Sequence, residues 1–358
     1  MIKLKFLPAR FGDCIWIEYG DDTKRSRILI DGGTGGTRHE INELIAALPE
    51  DERDFELVVV THIDQDHIEG VLRLLEESDT LNFKVRDFWF NGFDHLPKDE
   101  DEEDFGAVQG ERLSIQIVKH EIPWNIDFLG KSIMAGDDEL PTITLPGGMK
   151  LTLLSPAVGH LNELKKQWVK EVTEANMIPG SPLVSDSDED EDDEEDFGGG
   201  SIPDIENLVL KDFHEDEAAG NGSSIAFLAE FDDKSMLFCG DAFPSQLFKA
   251  LDLISPTSKI NLDLMKVSHH ASSHNTSPEL LEKINCKKYV ISTNGSRFKH
   301  PKQDTIARII KKAGPGTQLF FNYKTKFNDV WDIQSLKDSH GYNTVYPNVG
   351  EEGLEINL

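Results

Sequence analysis

Residues 58–70 read VVVTHIDQDHIEG. Three valines and a threonine form a β-branched apolar run of the kind that fills a buried strand. His62, Asp64, Asp66 and His67 follow within six positions. Alternate side chains of an extended segment share a face, so His62 and Asp64 can leave the strand aimed at one point. Ile68, Val71, Leu72 and Leu75 then recur at helical intervals, which predicts a helix starting near His67. A strand-to-helix turn thus brings Asp66 and His67 towards a second point beside the first. Imidazole and carboxylate together suit zinc, and also manganese or iron. Taken alone, the cluster also reads as a solvated helix start with Asp66 as N-cap.

Working outward, IKLKFL, CIWIEYG and RILIDGG are short apolar runs separated by turn residues, and they predict a meander of strands before the cluster. HEINELIAAL (39–48) has helical spacing. The second half repeats the style. MKLTLLSP reads as a strand, HLNELKKQWVKEVTEA as a helix, and SSIAFLAEF with SMLFCGD as a hairpin. LDLMKVSHH, KYVISTN and QLFFNY read as further strands, and DTIARIIKKA as a helix. Two halves of strands followed by helices predict an α/β (α+β) fold, its sheets packed face to face with helices outside. More ligand-type residues fall at strand ends: Asp241 in LFCGDAF, His269 and His270 in VSHHASSHN, and His300 in NGSRFKHP. Loops held by a rigid scaffold are where function concentrates.

The chain has 358 residues and a formal net charge of −30. Two runs carry much of that charge: ten acids in DSDEDEDDEED (186–196) and six in DEDEED (99–104). Setting those sixteen acids aside leaves −14. Such runs bury no apolar surface, so 178–203 is expected to be a disordered acidic insertion and 94–140 a further insertion in a single domain spanning 1–358. Residues 281–330 run the other way, with eleven Lys or Arg against three acids. Cys14, Cys239 and Cys286 are scattered and form no CxxC pair, so they read as reduced thiols of a cytoplasmic protein. The opening segment lacks the long apolar core of a signal peptide, and no membrane span is expected.

These motifs resemble the metallo-β-lactamase superfamily, whose signature is H-x-H-x-D-H with a strand-terminal Asp and His downstream. More narrowly, the chain is similar to the hydrolase-like domain of ComEC competence proteins and their free-standing relatives. It shows HIDQDH, NGSS (221–224), GD (240–241), HHAS (269–272) and KHP (299–301) in the family's order, with FGDC and LIDGG before them. The resemblance covers roughly residues 1–325 apart from the insertions, and ordered motif matches reinforce one another.

The resemblance implies a four-layer αβ/βα sandwich and a metal-dependent hydrolase using a dinuclear metal-bound hydroxide. His62 and Asp64 would hold one ion, Asp66 and His67 the other, and Asp241 would bridge. One of His269 and His270 would complete the second site. Two divalent ions, zinc or manganese, are the implied cofactors. Asp66 and His300 are the candidate catalytic residues, with Asn221, Arg297, Lys299 and His300 as substrate contacts. Asp31 is expected to hydrogen-bond a ligand histidine. The superfamily's third histidine, before the strand beginning at Ser223, is missing here; Asn221 is the nearest candidate. Ala271 replaces the glycine after the histidine pair. Phosphodiesters, nucleic acid included, are the leading substrate class, since the basic stretch surrounds Arg297 and Lys299. A carboxylic ester, thioester or lactone hydrolase and a regulatory subunit with a degenerate site are the alternatives. The family also implies an ATPase or protease partner.

Overall fold

The computed structural model describes residues 1–21, 24–77, 79–97, 108–174 and 202–358. Both acidic runs, 99–104 and 186–196, and most of the expected insertion 178–203 lie outside the described residues.

The expected meander forms β1 (Ile2–Phe6), β2 (Ile15–Gly20) and β3 (Arg25–Ile30), followed by β4 (Leu57–Val59) and β5 (Phe88–Trp89). The second half supplies β6 (Thr142–Thr144), β7 (Lys150–Ser155), β8 (Ala226–Phe231), β9 (Lys234–Phe238), β10 (Leu264–Lys266), β11 (Lys288–Ile291), β12 (Thr317–Phe321) and β13 (Tyr342–Val345). A last strand, β14 (Leu354–Asn357), returns to the first sheet beside β1. The strand orders are β14-β1-β2-β3-β4-β5 and β13-β12-β11-β10-β9-β8-β7-β6.

Period-two alternation divides the apolar residues between two faces of each sheet. Ile28, Ile30, Leu57, Val59 and Trp89 meet Leu151, Leu153, Phe227, Met236 and Leu264 in a core between the sheets. Their neighbours Leu29, Val58 and Phe88 turn outward, onto Ile41, Val71 and Leu75 of α1 (Arg38–Ala46) and α2 (Gln65–Glu76). On the second sheet Leu237, Met265 and Ile291 likewise turn outward. They meet Leu247, Leu280 and Ile306 of α4 (Pro244–Ile254), α5 (Pro278–Lys283) and α6 (Gln303–Ala313), once α3 (Val108–Lys119) is counted in chain order. Helix, sheet, sheet, helix: this is the expected four-layer sandwich. Within 94–140, α3 buries Leu113 and Ile117 in the same outer cluster as α2, so part of that stretch belongs to the body of the fold.

One local expectation is corrected. The helix after the ligand cluster starts at Gln65, and Asp64 rather than Asp66 is its N-cap residue. No side chain caps it; the Asp64 carbonyl accepts from His67 and Ile68 instead. Neither carboxylate is spent on capping, which leaves both free for other work. Gly70 fixes how close α2 lies: a Cβ there would stand 1.9 Å from the Gly32 carbonyl oxygen. Among the described residues no helix is long and apolar enough to cross a membrane.

Candidate metal centre

The loops following β4, β9, β10 and β11 meet at one edge of the sandwich. Asp241 lies three residues past β9, where Gly240 turns the chain at φ +50° and the Asp241 amide donates to Ser224 Oγ at 3.1 Å. Around its Oδ2 four imidazole Nε2 atoms converge: His67 at 3.4 Å, His269 at 3.7 Å, His62 at 3.8 Å and His270 at 3.9 Å. Asp64 stands 3.5 Å from His62 on one flank, and Asp66 stands 3.3 Å from His270 on the other.

These separations are too long for hydrogen bonds. They match atoms sharing a cation: two ligand atoms each about 2.1 Å from a tetrahedral ion sit about 3.4 Å apart. Nε2 of His62, His67 and His270 and Oδ1 of Asp241 are buried without a hydrogen-bond partner. Buried polar atoms left unpaired cost about 1–3 kcal/mol each, so a cluster of them facing one point calls for a ligand. Asp13, His67, Asp241 and His270 also place one ligand-type atom each within 4.8 Å of one another. The donor set therefore fits divalent cations bound by nitrogen and oxygen.

The second nitrogen of each ring is held from behind, which fixes the tautomer that presents Nε2. His67 Nδ1 meets Asp31 Oδ2 at 2.8 Å, and His270 Nδ1 meets the Ser292 carbonyl oxygen at 2.7 Å. His62 Nδ1 lies 3.0 Å from Thr61 Oγ1, which itself donates to Asp31 Oδ2 at 2.9 Å. Asp31 thus serves two histidines from a backbone at φ +58°, its carboxylate accepting from the Thr61 amide through Oδ1. Asp31→Ala is expected to weaken zinc or manganese binding by about 10–100-fold while the protein stays folded. Equilibrium dialysis at fixed pH reads this directly, and unchanged affinity would refute it.

Electrostatics make the same case. Burial disfavours charge on His67 and His270, but the surrounding carboxylates outweigh it. Asp241 and Asp31 hold His67 well above the ordinary imidazole value, and Asp13 and Asp241 bring His270 up to about 9. Burial would likewise raise Asp241 and Asp66, yet the facing imidazoles hold Asp241 far below the carboxylate range and Asp66 at about 2. Without a cation the cluster keeps its negative charge compensated by protons, which metal binding would displace.

His300 is buried at the mouth, its ring centroid 5.6 Å from that of His269 and 6.5 Å from that of His270. Burial, and then the positive fields of His270 and His269, push its pKa down to about 2, so it stands neutral. Arg297 lies exposed at the rim with its guanidinium over the rings of Phe11 (5.4 Å) and Phe298 (5.2 Å), and donates to Gln65 Oε1 at 3.2 Å. Lys299 is exposed on the same loop. Asn221 is buried beside His269, its Nδ2 donating to Asp216 Oδ2 at 2.6 Å. The structure thus gathers His62, Asp64, Asp66, His67, His269 and His270 around Asp241, with Asp31 behind the rings and Asn221 and His300 beside His269, while Arg297 and Lys299 are exposed on the loop before His300.

A family model described as the metallo-beta-lactamase superfamily matches residues 7–295. The chain belongs to that superfamily. Most members of the metallo-beta-lactamase superfamily are metal-dependent hydrolases, and its fold is the sandwich described above. No curated protein matches the chain. Among solved structures, the metallo-beta-lactamase fold protein YhfI from Bacillus subtilis is 13% identical at a TM-score of 0.44, covering 99% of this chain and 98% of that one. Zn(2+)-bound PqqB from Methylobacterium extorquens is 12% identical at 0.41, with both chains fully covered. CmlA, a diiron beta-hydroxylase from Streptomyces venezuelae, is 12% identical at 0.39, and only 54% of its length is covered.

Sequence reading missed the supports. Asp13, Lys266, Asp216, Asn275 and Ser292 all touch the histidines or one another's partners. FGDC gave a weak signal for Asp13. Asp216 sits in HEDEAAG, one acid among 66 Asp and Glu, with nothing in the string to set it apart.

Proposed function

We propose that the protein is a metal-dependent hydrolase of phosphodiesters, built on two divalent cations, zinc or manganese. The observation that carries the reading is the four-imidazole convergence on Asp241, flanked by Asp64 and Asp66 and opening towards His300 and Arg297. His62, Asp64, Asp66, His67, Asp241, His269 and His270 would hold the ions. Cations so held would supply a hydrolytic water at neutral pH and Lewis acidity towards a phosphoryl oxygen.

The chain's own groups do the rest. Asp31, Ser292 and Thr61 lock the rings, so no reorganisation is needed when charge develops. Arg297, its guanidinium near the rings of Phe11 and Phe298, presents a planar donor fork suited to phosphate oxygens. Neutral His300 can donate or accept one hydrogen bond to a bound ester while remaining uncharged. The net charge of −30 opposes broad adhesion to nucleic acid, so substrate recognition would be confined to this mouth.

A panel of bis(p-nitrophenyl) phosphate and labelled single- and double-stranded oligonucleotides, with manganese or zinc, tests the reading against Asp66→Ala. The wild type should cleave at least one phosphodiester, and Asp66→Ala should lose 10³-fold or more, on the order of 4 kcal/mol. Equal cleavage by both proteins, or none by either with any metal, would overturn it. A second reading, a lactone or thioester hydrolase, draws on the apolar rim of Phe11 and Phe298, the latter 42% exposed. Turnover of an acyl panel orders of magnitude above every phosphodiester would replace the first reading with this one.

A further inference from the structure

The superfamily's third histidine is absent from this chain, which leaves the ion beside His62 and Asp64 with a single imidazole from that loop. The backbone after β10 offers a replacement. His269, His270 and Ala271 have φ values of +47°, +52° and +63°, three consecutive non-glycine residues in the left-handed region. In a strand, neighbouring side chains point to opposite faces. Here the left-handed run turns both rings inward, so that Nε2 of His269 and Nε2 of His270 both lie within 4 Å of Asp241 Oδ2. Strain of this kind persists only where the surroundings enforce it.

The two rings have different neighbours. His270 stands against Asp66 at 3.3 Å and is tied to Ser292. His269 sets its ring at 74° to that of His270 and is held from behind through Asn275. Its Nδ1 lies 2.9 Å from Asn275 Oδ1 and 3.4 Å from both Asp216 Oδ2 and Asn221 Nδ2. Asp216 organises the grip: it accepts from Asn221 at 2.6 Å, from Asn275 at 3.0 Å and, through Oδ1, from the Ala218 amide at 3.0 Å. The turn carrying Asn221 also packs on the first flank, because Gly220 lies so close to Asp64 that a Cβ would stand 2.7 Å from its Oδ1. A side chain at 220 would push Asp64 away.

We propose that His269 is the imidazole ligand of the ion held by His62 and Asp64, standing in for the missing third histidine, and that Asp216 is the positioning residue that aims it. Each ion then has a matched set: His62, Asp64 and His269 on one side, Asp66, His67 and His270 on the other, with Asp241 between them. The assignment rests on the dinuclear reading above and adds which histidine serves which ion.

The test is zinc stoichiometry and affinity, read by calorimetric titration of the metal-free protein and by elemental analysis, with thermal midpoints recorded for every variant. Wild type should take two ions per chain. His269→Ala and Asp64→Ala should each take one, and the double variant should still take one, because both act on the same ion. Combining His269→Ala with His270→Ala should abolish both. Asp216→Ala should weaken one of the two ions about 10–100-fold and leave the other untouched, with Asp216→Asn recovering part of that loss. Two ions bound to His269→Ala at wild-type affinity would overturn the proposal, as would loss of an ion in Asn221→Ala but not in His269→Ala. A wild type that takes only one ion would remove the dinuclear reading; the His269 assignment would then stand if His269→Ala and Asp64→Ala both weaken that ion, and fall if they do not.

Discussion

Asp241→Ala is expected to abolish hydrolysis, by on the order of 10⁴-fold or more, about 5 kcal/mol of transition-state stabilisation. No other substitution at the centre should match it. One carboxylate oxygen faces four imidazoles, so in the proposed dinuclear centre it would touch both ions, whereas each histidine would serve one. Its removal also leaves those rings without the charge that offsets theirs. Metal content should fall below two ions per chain in the same samples that lose activity. The fold should survive, since Ser224 contacts the Asp241 backbone and not the lost carboxylate. Activity within tenfold of wild type at unchanged metal content would show that Asp241 does not bridge.

Asp13→Ala is expected to produce the largest loss of stability of any single polar substitution near the site, about 3–5 kcal/mol. Asp13 and Lys266 form an ion pair under the metal loops, with each side chain at most 2% exposed. Burial acts against charge on both groups, and their mutual attraction keeps Asp13 below and Lys266 above its ordinary value. Removing Asp13 strands a buried ammonium, which is why breaking such a pair costs far more than the pair contributes. Denaturant unfolding of the metal-free protein measures the loss without interference from bound ions. Adding Lys266→Met should recover more than half of it, because an apolar chain of similar length needs no partner. A loss under about 1 kcal/mol, or no recovery in the double variant, would show that the pair is dispensable.

How much of this was written in the string can be judged residue by residue. The valine run, the helical spacing from Ile68 and the strand-terminal placement of Asp241 and His269–His270 depend on neighbours close in sequence, and they read correctly. The face-to-face sheets with helices outside followed from two halves of strands and helices, and the four-layer arrangement from the family resemblance. The helix, expected to start near His67, starts at Gln65, because its first turn is polar and the apolar spacing that signals it begins only at Ile68.

The sequence by itself pointed to the family and to a cluster of metal-binding side chains: histidines and aspartates at strand ends are not buried without partners that compensate them. Only the tertiary structure decided which side chains face one another and what holds them. His269 and His270 are adjacent letters, yet a left-handed backbone brings both rings within 4 Å of one carboxylate oxygen. Asp216 lies 53 positions before His269, and Asp13 lies 253 before Lys266. Hydrogen bonds and ion pairs act over about 3 Å of space whatever the separation along the chain, so these supports carry no local signature. Where partners are distant in sequence, folding alone chooses them.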